Sequence, residues 1–303
     1  MHTTAHGRAG GKVILLGEHV VVYGRPALAT GLPLVVDATV ETGPGPRLVS
    51  EMPTDPRTAR LVADAAEMMG LDPAQVVVRV RSDIPPGRGL GSSAALSVAV
   101  LRALAAAAGR TLDMATTLAQ GRVLEQIFHG TPSGVDPAAA ALGTCFRFVR
   151  GEPPLVTPIV PAWPIRLVVA YGPRPRSTGE AVGGLRERWQ ADQVRYERLF
   201  DEVAAIVDAG ITAFERGDLP GLGAAFDRNQ TALEALGVSH REVESLIARA
   251  RDAGALGAKL TGGGGGGAVI AVGDDAEAIA SGLRRGGAKT FIVDVGRTER
   301  MEA

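Results

Sequence analysis

The sequence predicts an α+β fold in two domains, and three observations carry that expectation. Strand-like and helix-like stretches mix along the chain without the regular strand–helix–strand period of a parallel sheet. A length of 303 residues suits one large or two medium domains. The stretch 151–164 holds five prolines and little hydrophobic periodicity, which marks a linker and divides the chain into 1–163 and 164–303.

The elements follow in order. Lys12–Leu16 is a short apolar strand ending in Gly17-Glu18-His19, and Val20–Tyr23 is a second apolar piece closed by Gly24. Ala27–Glu41 is rich in β-branched and small residues and holds one or two strands, followed by the turn signal Gly43-Pro44-Gly45-Pro46. Thr58–Met69 has helical spacing, and the valine-rich Val76–Arg81 is a strand. From Ser92 a helix begins, with Leu96, Val100, Ala103, Leu104 and Ala107 on one face. Thr111 is placed to cap a second helix running through Phe128, with Ala115, Ala119, Val123 and Ile127 as its apolar stripe. Glu125 lies about 200° from Val123 and Ile127, away from that stripe, and His129 shares its side. Cys145–Val149 and Ile165–Tyr171 read as strands. A long helix then runs to about Asp208 with Trp189, Tyr196, Val203 and Val207 inward, and two shorter helices cover Leu219–Leu236 and His240–Ala253. Ala258–Thr261 leads into the glycine run Gly262–Gly267, and the chain ends with a strand over Ala268–Val272, a helix over Asp274–Arg285 and a strand over Thr290–Val295.

Composition narrows the function. A net charge of −1 provides no basic field for nucleic acid or an anionic membrane. No apolar run reaches the ~18–20 residues of a membrane span, and the N-terminal residues lack a signal-peptide core. The single cysteine, Cys145, excludes an internal disulfide and suits a reducing compartment, so a cytoplasmic location is expected. The 40 glycines gather in short runs, as functional loops do.

One of these runs stands in Asp83-Ile84-Pro85-Pro86-Gly87-Arg88-Gly89-Leu90-Gly91-Ser92-Ser93-Ala94-Ala95. Two prolines set an extended entry, and alternating glycines let the backbone turn and expose its N–H groups. A glycine loop feeding a helix N-terminus is an anion site, because free N–H groups and the positive end of the helix dipole converge there. Pro86, Gly87, Gly89, Leu90, Gly91, Ser92 and Ser93 are therefore candidate nucleotide-binding residues, the alternative being a plain turn whose serines cap the helix. No Lys-Ser/Thr pair follows the last glycine, so this is not a Walker A loop, and Ser92 stands where a dinucleotide fingerprint needs its third glycine.

Three glycine-centred segments lie in order: Gly11-Lys12-Val13-Ile14-Leu15-Leu16-Gly17-Glu18-His19, the Pro85–Ala95 loop, and Lys259-Leu260-Thr261 with Gly262–Gly267. This triplet resembles the three motifs of the GHMP kinase superfamily. The first segment through Tyr23-Gly24, and the loop His129-Gly130-Thr131-Pro132-Ser133-Gly134-Val135-Asp136, are most similar to the mevalonate kinase group within it. Leu16, Thr131, Pro137, Gly263 and Ala268 depart from the usual pattern, and none of these departures removes a charged or chelating group.

The resemblance implies the two-domain GHMP kinase fold: an N-terminal domain like domain 2 of ribosomal protein S5, and a C-terminal ferredoxin-like α/β sandwich. It implies ATP-dependent phosphorylation of a primary alcohol, mevalonate, with Mg²⁺ as the metal. Asp136 matches the catalytic acid that accepts or orients the hydroxyl proton, the alternative being a helix cap ahead of Pro137. Lys12 matches the active-site lysine that would pair with Asp136 and neutralise γ-phosphate charge, against a solvated strand end. Ser93 and Glu125 match the metal ligands, against a solvated helix face for Glu125. Glu18, His19 and Thr178 match positions that contact mevalonate, and Gly263 and Gly264 complete the substrate-binding candidates. A homodimer is left open by the resemblance. So are phosphomevalonate kinase chemistry, for which Arg174 and Arg176 are the basic reserve, and a silent sensor on the same fold.

Overall fold

The computed structural model describes residues 5–50, 55–130, 132–172, 179–263 and 267–296, with backbone alone for 179–183. Two sheets organise it. The first is built on a long hairpin of β1 (Ala5–Leu16) and β2 (Ala27–Thr42), paired antiparallel from Ala5 opposite Val40 to Leu16 opposite Leu28. Register slips at Gly10/Gly11, so the Lys12 end of β1 is offset from its beginning. The far half of β2 pairs with β4 (Val76–Ser82) and the near half with β5 (Cys145–Val149). The edges are β3 (Arg47–Ser50), parallel to β4, and β6 (Leu155–Pro158), antiparallel to β5. β2 is thus one strand rather than two, its β-branched residues (Thr30, Val35, Val36, Thr39, Val40 and Thr42) suiting a strand with partners along both edges.

The segment expected to be a linker therefore contributes β6 to the first sheet. Beyond it, Ile159 N–H donates to Cys145 O at 3.0 Å and Ala162 N–H to Glu215 O at 3.0 Å. Prolines suit such an edge, where one row of N–H groups has no strand to meet.

α1 (Pro56–Met69) and α2 (Ser92–Ala107) cover this sheet. The single apolar face expected for α2 is not what forms. Ala94, Ala95, Ser97–Leu101 and Ala103–Ala105 are all buried, while Ala107 is exposed and Leu96 only half-buried. The helix lies so close to β1 that a Cβ on Gly7 would stand 2.2 Å from Ala99 O, an approach that small residues permit around most of the helix circumference.

α3 (Met114–Glu125) is capped by Asp113, whose side chain accepts from Thr116 N–H at 2.7 Å; Thr111 plays no part. Its expected stripe is turned outward: Ala115, Ala119 and Val123 are exposed, and Thr117, Gly121, Leu124 and Glu125 are buried. Gly121 decides this. α4 (Val135–Leu142) packs there so tightly that a Cβ on Gly121 would sit 3.2 Å from Pro137 Cβ, and the buried Thr117 hydroxyl is satisfied by Asp113 O at 2.8 Å. Glu125 consequently points inward.

The second sheet has the order β10-β7-β9-β8, all antiparallel: β7 (Ile165–Tyr171), β8 (Gly257–Leu260), β9 (Ala268–Val272) and β10 (Lys289–Val295). The single long helix expected before it is two, α5 (Gly179–Ala191) and α6 (Gln193–Arg216), because Asp192 leaves helical geometry and caps Arg195 N–H at 3.2 Å. Tyr196, Val203 and Val207 are buried as expected, and Trp189 is half-buried with its indole N–H on Glu197. α7 (Leu219–Ala235), α8 (Arg241–Asp252) and α9 (Ala276–Arg285) complete the helices near their expected bounds. Among the described residues no helix is long and apolar enough to cross a membrane.

Candidate active site

The three glycine segments meet in space. Lys12, on β1, is 3% exposed; its N–H donates to Leu90 O at 2.9 Å, which ties the strand to the glycine loop. In that loop Gly87, Gly89 and Gly91 all have φ between 68° and 80°, a region closed to ordinary side chains. Gly91 is the N-cap of α2 and no side chain caps that end, so the first-turn N–H groups stay available for an anion. Ser92 and Ser93 are the first helical residues rather than caps. Pro86 and Gly87 lie exposed at the lip, and Leu90 is buried beneath. Arg88 donates to Gly172 O at 2.8 Å and stacks on Tyr171, fastening the loop to the second sheet.

The third segment closes on the other two. Thr261 Oγ1 donates to Ile14 O at 2.9 Å and accepts from Ile14 N–H at 3.1 Å. Gly262, at φ 78°, comes so near the glycine loop that a Cβ there would be 2.9 Å from Gly89 O. Gly263 is half-buried beside it, while Gly264 and Thr178 lie outside the described residues.

Asp136 sits in the first turn of α4, whose N-cap is Gly134. It is therefore not the cap, and its Oδ1 meets Lys12 Nζ at 2.9 Å. Beside this pair, Ser93 Oγ donates to Glu125 Oε1 at 2.9 Å, and His129 Nε2 stands 3.3 Å from Ser93 Oγ and 3.4 Å from Glu125 Oε1. Glu125 Oε2 is buried without a partner. Burial first, and then the neighbouring Asp136, push the Glu125 carboxyl up to about 8. Lys12, Ser93, Glu125 and Asp136, from four separate elements, thus occupy one site.

The Gly17-Glu18-His19 turn borders it. Glu18 is fully buried, its Oε1 ion-paired with the equally buried Lys259 and its Oε2 accepting from Asn229 Nδ2 at 3.4 Å. Burial raises the Glu18 carboxyl and lowers the Lys259 ammonium, and the contact between them opposes both shifts. His19 is held neutral, pushed down to about 4 by burial and then by the positive charges of Lys259 and Lys12. Sequence reasoning placed Lys259 in the third glycine segment but gave it no role, and it missed Asn229, which sits in mid-helix and left no signal.

The glycine cradle, the apposed lysine and aspartate, and the half-buried Ser93 bonded to the buried Glu125 have the composition of a phosphoryl-transfer site. Comparison with known proteins agrees. The model of the GHMP kinases N terminal domain matches residues 57–144, and that of the GHMP kinases C terminal domain matches residues 211–289. The chain belongs to the GHMP kinase family, whose members are ATP-dependent kinases. Its curated relatives include mevalonate kinases: that of Pyrococcus horikoshii is 32% identical over 298 residues, covering 87% of both chains, and that of Aeropyrum pernix is 33% identical over 291 residues, covering 89% of both. Among solved structures, L. major mevalonate kinase in complex with R-mevalonate superposes with a TM-score of 0.82 at 31% identity, over 96% of this chain and 95% of that one.

Glu125 provides a test that needs no substrate. Its proton is held more tightly in the folded protein than at the ordinary value of 4.5, so its contribution to stability is fully present below about pH 4.5 and is lost as pH rises through about 8. Glu125→Gln should flatten the fall in Tm across that window when metal is absent. Superimposable Tm–pH profiles of the two proteins would contradict a buried, titrating Glu125.

Proposed function

We propose that this protein transfers the γ-phosphoryl group of ATP to the primary hydroxyl of mevalonate, giving 5-phosphomevalonate and ADP. The observation that carries the reading is the Lys12–Asp136 pair at 2.9 Å, joined through the Lys12 backbone to the glycine loop. A proton acceptor, a cation for the transferring charge and a phosphate cradle are the groups this reaction requires.

In this reading the N–H groups of residues 87–93 and the start of α2 hold the triphosphate. Asp136 orients the substrate hydroxyl and takes its proton at a carboxylate oxygen as the O–P bond forms. Lys12 offsets the negative charge that develops on the transferring group. His19, neutral and with Nε2 unpartnered, offers a hydrogen bond to the alcohol substrate, and Glu18, Thr178, Gly263 and Gly264 complete the proposed surround. Thr261, held on Ile14, and Gly262, against Gly89, set the third segment beside both the Lys12 strand and the glycine loop.

Ser93 and Glu125 fit a magnesium ion. They offer two oxygen ligands, one on a buried carboxylate with a free lone-pair oxygen, and Mg²⁺ takes its remaining ligands from phosphate and water. Among the described residues no cluster of three or more His, Cys, Asp or Glu side chains could hold a cation unaided, which suits an ion that arrives with its nucleotide. When bound, the ion neutralises phosphate charge. Ser93→Ala and Glu125→Gln are each expected to raise the Mg²⁺ and ATP concentrations needed for half-maximal rate by about tenfold or more, with folding retained. Unaltered metal and nucleotide dependence in both variants would remove the assignment.

A coupled ADP-release assay with mevalonate, phosphomevalonate and galactose tests the reading as a whole. Turnover with mevalonate alone is the expected result; preference for either other substrate, or none with any, refutes it.

A further inference from the structure

Among the described residues His19 is the one non-glycine with positive φ, at φ 65° and ψ −40°, and Gly17, two residues earlier, has φ 92°. Such a conformation persists only where surrounding contacts over-determine it. Locally, Val20 N–H donates to Glu18 O at 2.8 Å across His19; the contacts that hold the preceding residues, Gly17 and Glu18, come from the C-terminal half of the chain. Lys259 Nζ, on β8, donates to Glu18 Oε1 and to Leu260 O. Asn229, on α7, donates through Nδ2 to Glu18 Oε2 at 3.4 Å and accepts from Gly17 N–H through Oδ1 at 3.3 Å. Lys259, Asn229 and Glu18 have no exposed surface at all. Two residues beyond Lys259, Thr261 grips Ile14, so the end of β8 fastens the Lys12 strand and the turn that follows it. In the turn, His19 Nε2 is buried and left without a partner.

A buried ammonium–carboxylate pair is a poor stability device. Well-packed apolar residues in its place are often neutral or stabilising, whereas removal of one partner is strongly destabilising. A turn that merely joined β1 to β2 would need neither buried charge. What the pair does provide is geometric: one orientation of Glu18, and with it one path of the backbone through His19.

We propose that Lys259, together with Asn229, is a positioning residue for the phosphoryl acceptor: acting through Glu18 and Gly17, the two side chains lock the turn so that His19 presents Nε2 to the alcohol substrate. The inference rests on the alcohol-kinase reading above. It assigns the lysine of the third glycine motif to recognition of the alcohol rather than the nucleotide, whose cradle is backbone from residues 87–93.

The test uses the full chain carrying Lys259→Met or Asn229→Leu, with Tm and near-ultraviolet circular dichroism recorded before kinetics. In each variant KM for mevalonate should rise by about tenfold or more, while KM for ATP stays within about threefold of wild type. His19→Ala should raise KM for mevalonate similarly, and adding Lys259→Met to it should produce little further rise, because the two act through one contact. Lys259→Met exposes an unpaired buried Glu18 and can fail to fold; Asn229→Leu changes no charge, and its kinetics then decide the matter alone. Parallel rises in both KM values, an unchanged KM for mevalonate, or full additivity with His19→Ala overturns the positioning role. Wild-type turnover on mevalonate is measured alongside, so failure of the substrate reading shows in the wild type and failure of the lock shows only in the ratio of variant to wild type.

Discussion

Asp136→Asn is expected to cut kcat by at least about 10²-fold, ~2.7 kcal/mol of barrier, while ATP affinity stays within a few-fold. Asparagine keeps the shape of the side chain and can still accept a hydrogen bond from Lys12 Nζ. It loses the negative charge and with it the capacity to take the hydroxyl proton. Asp136 has two structural roles besides: a first-turn place in an eight-residue helix that Gly134 caps, with a helix-dipole contribution of order 0.3–1 kcal/mol, and the pairing with the buried Lys12, of which asparagine keeps the hydrogen bond but not the charge, so some loss of Tm is expected. Asparagine would serve a capping function well, since both residues are good caps. Steady-state kinetics with saturating mevalonate and a Tm measurement therefore separate the roles. Near-normal turnover would refute the catalytic one.

Much of this site was legible because its requirements are local. Gly87, Gly89 and Gly91 announce a backbone that L side chains cannot follow, and a helix-forming run directly after them announces a dipole aimed at the loop. The placement of Glu125 was legible in part. Helix geometry put it opposite Ala115, Ala119 and Val123, but apolar periodicity assigned the wrong side to the interior. The deciding contact, Gly121 against Pro137, joins two helices across a loop and leaves no periodic trace. Glu125 is buried because Ser93 satisfies one of its oxygens, a partner 32 residues away. The Glu18–Lys259 pair is the extreme case: a buried charge makes sense only with its counter-charge, here 241 residues distant. Asp192 shows the opposite limit, a short-range capping signal inside a continuous helical pattern, masked by strong helix formers on both sides.

Gly91→Ala is expected to lower kcat by about 10²-fold or more, through Lys12 rather than through the nucleotide alone. A Cβ at position 91 would lie 2.5 Å from Lys12 Cγ. That carbon cannot give way easily: Lys12 is held at its backbone by Leu90 O and at its ammonium by Asp136, both at 2.9 Å. Moving Cγ by the ångström required breaks one of those contacts, and the catalytic pair is the one made by a side chain. Backbone strain is a separate contribution, since Gly91 has φ 80° and alanine resists that conformation by ~1–2 kcal/mol. Gly109→Ala isolates this contribution, because Gly109 has φ 67° and nothing within 4 Å of its would-be Cβ. Both variants should lose comparable stability from the backbone, but only Gly91→Ala should lose turnover, with KM for ATP also raised by distortion of the cradle. Equal and modest kinetic effects in the two variants would mean that Lys12 can relax without leaving Asp136, and that the closeness of loop and strand is a matter of packing alone.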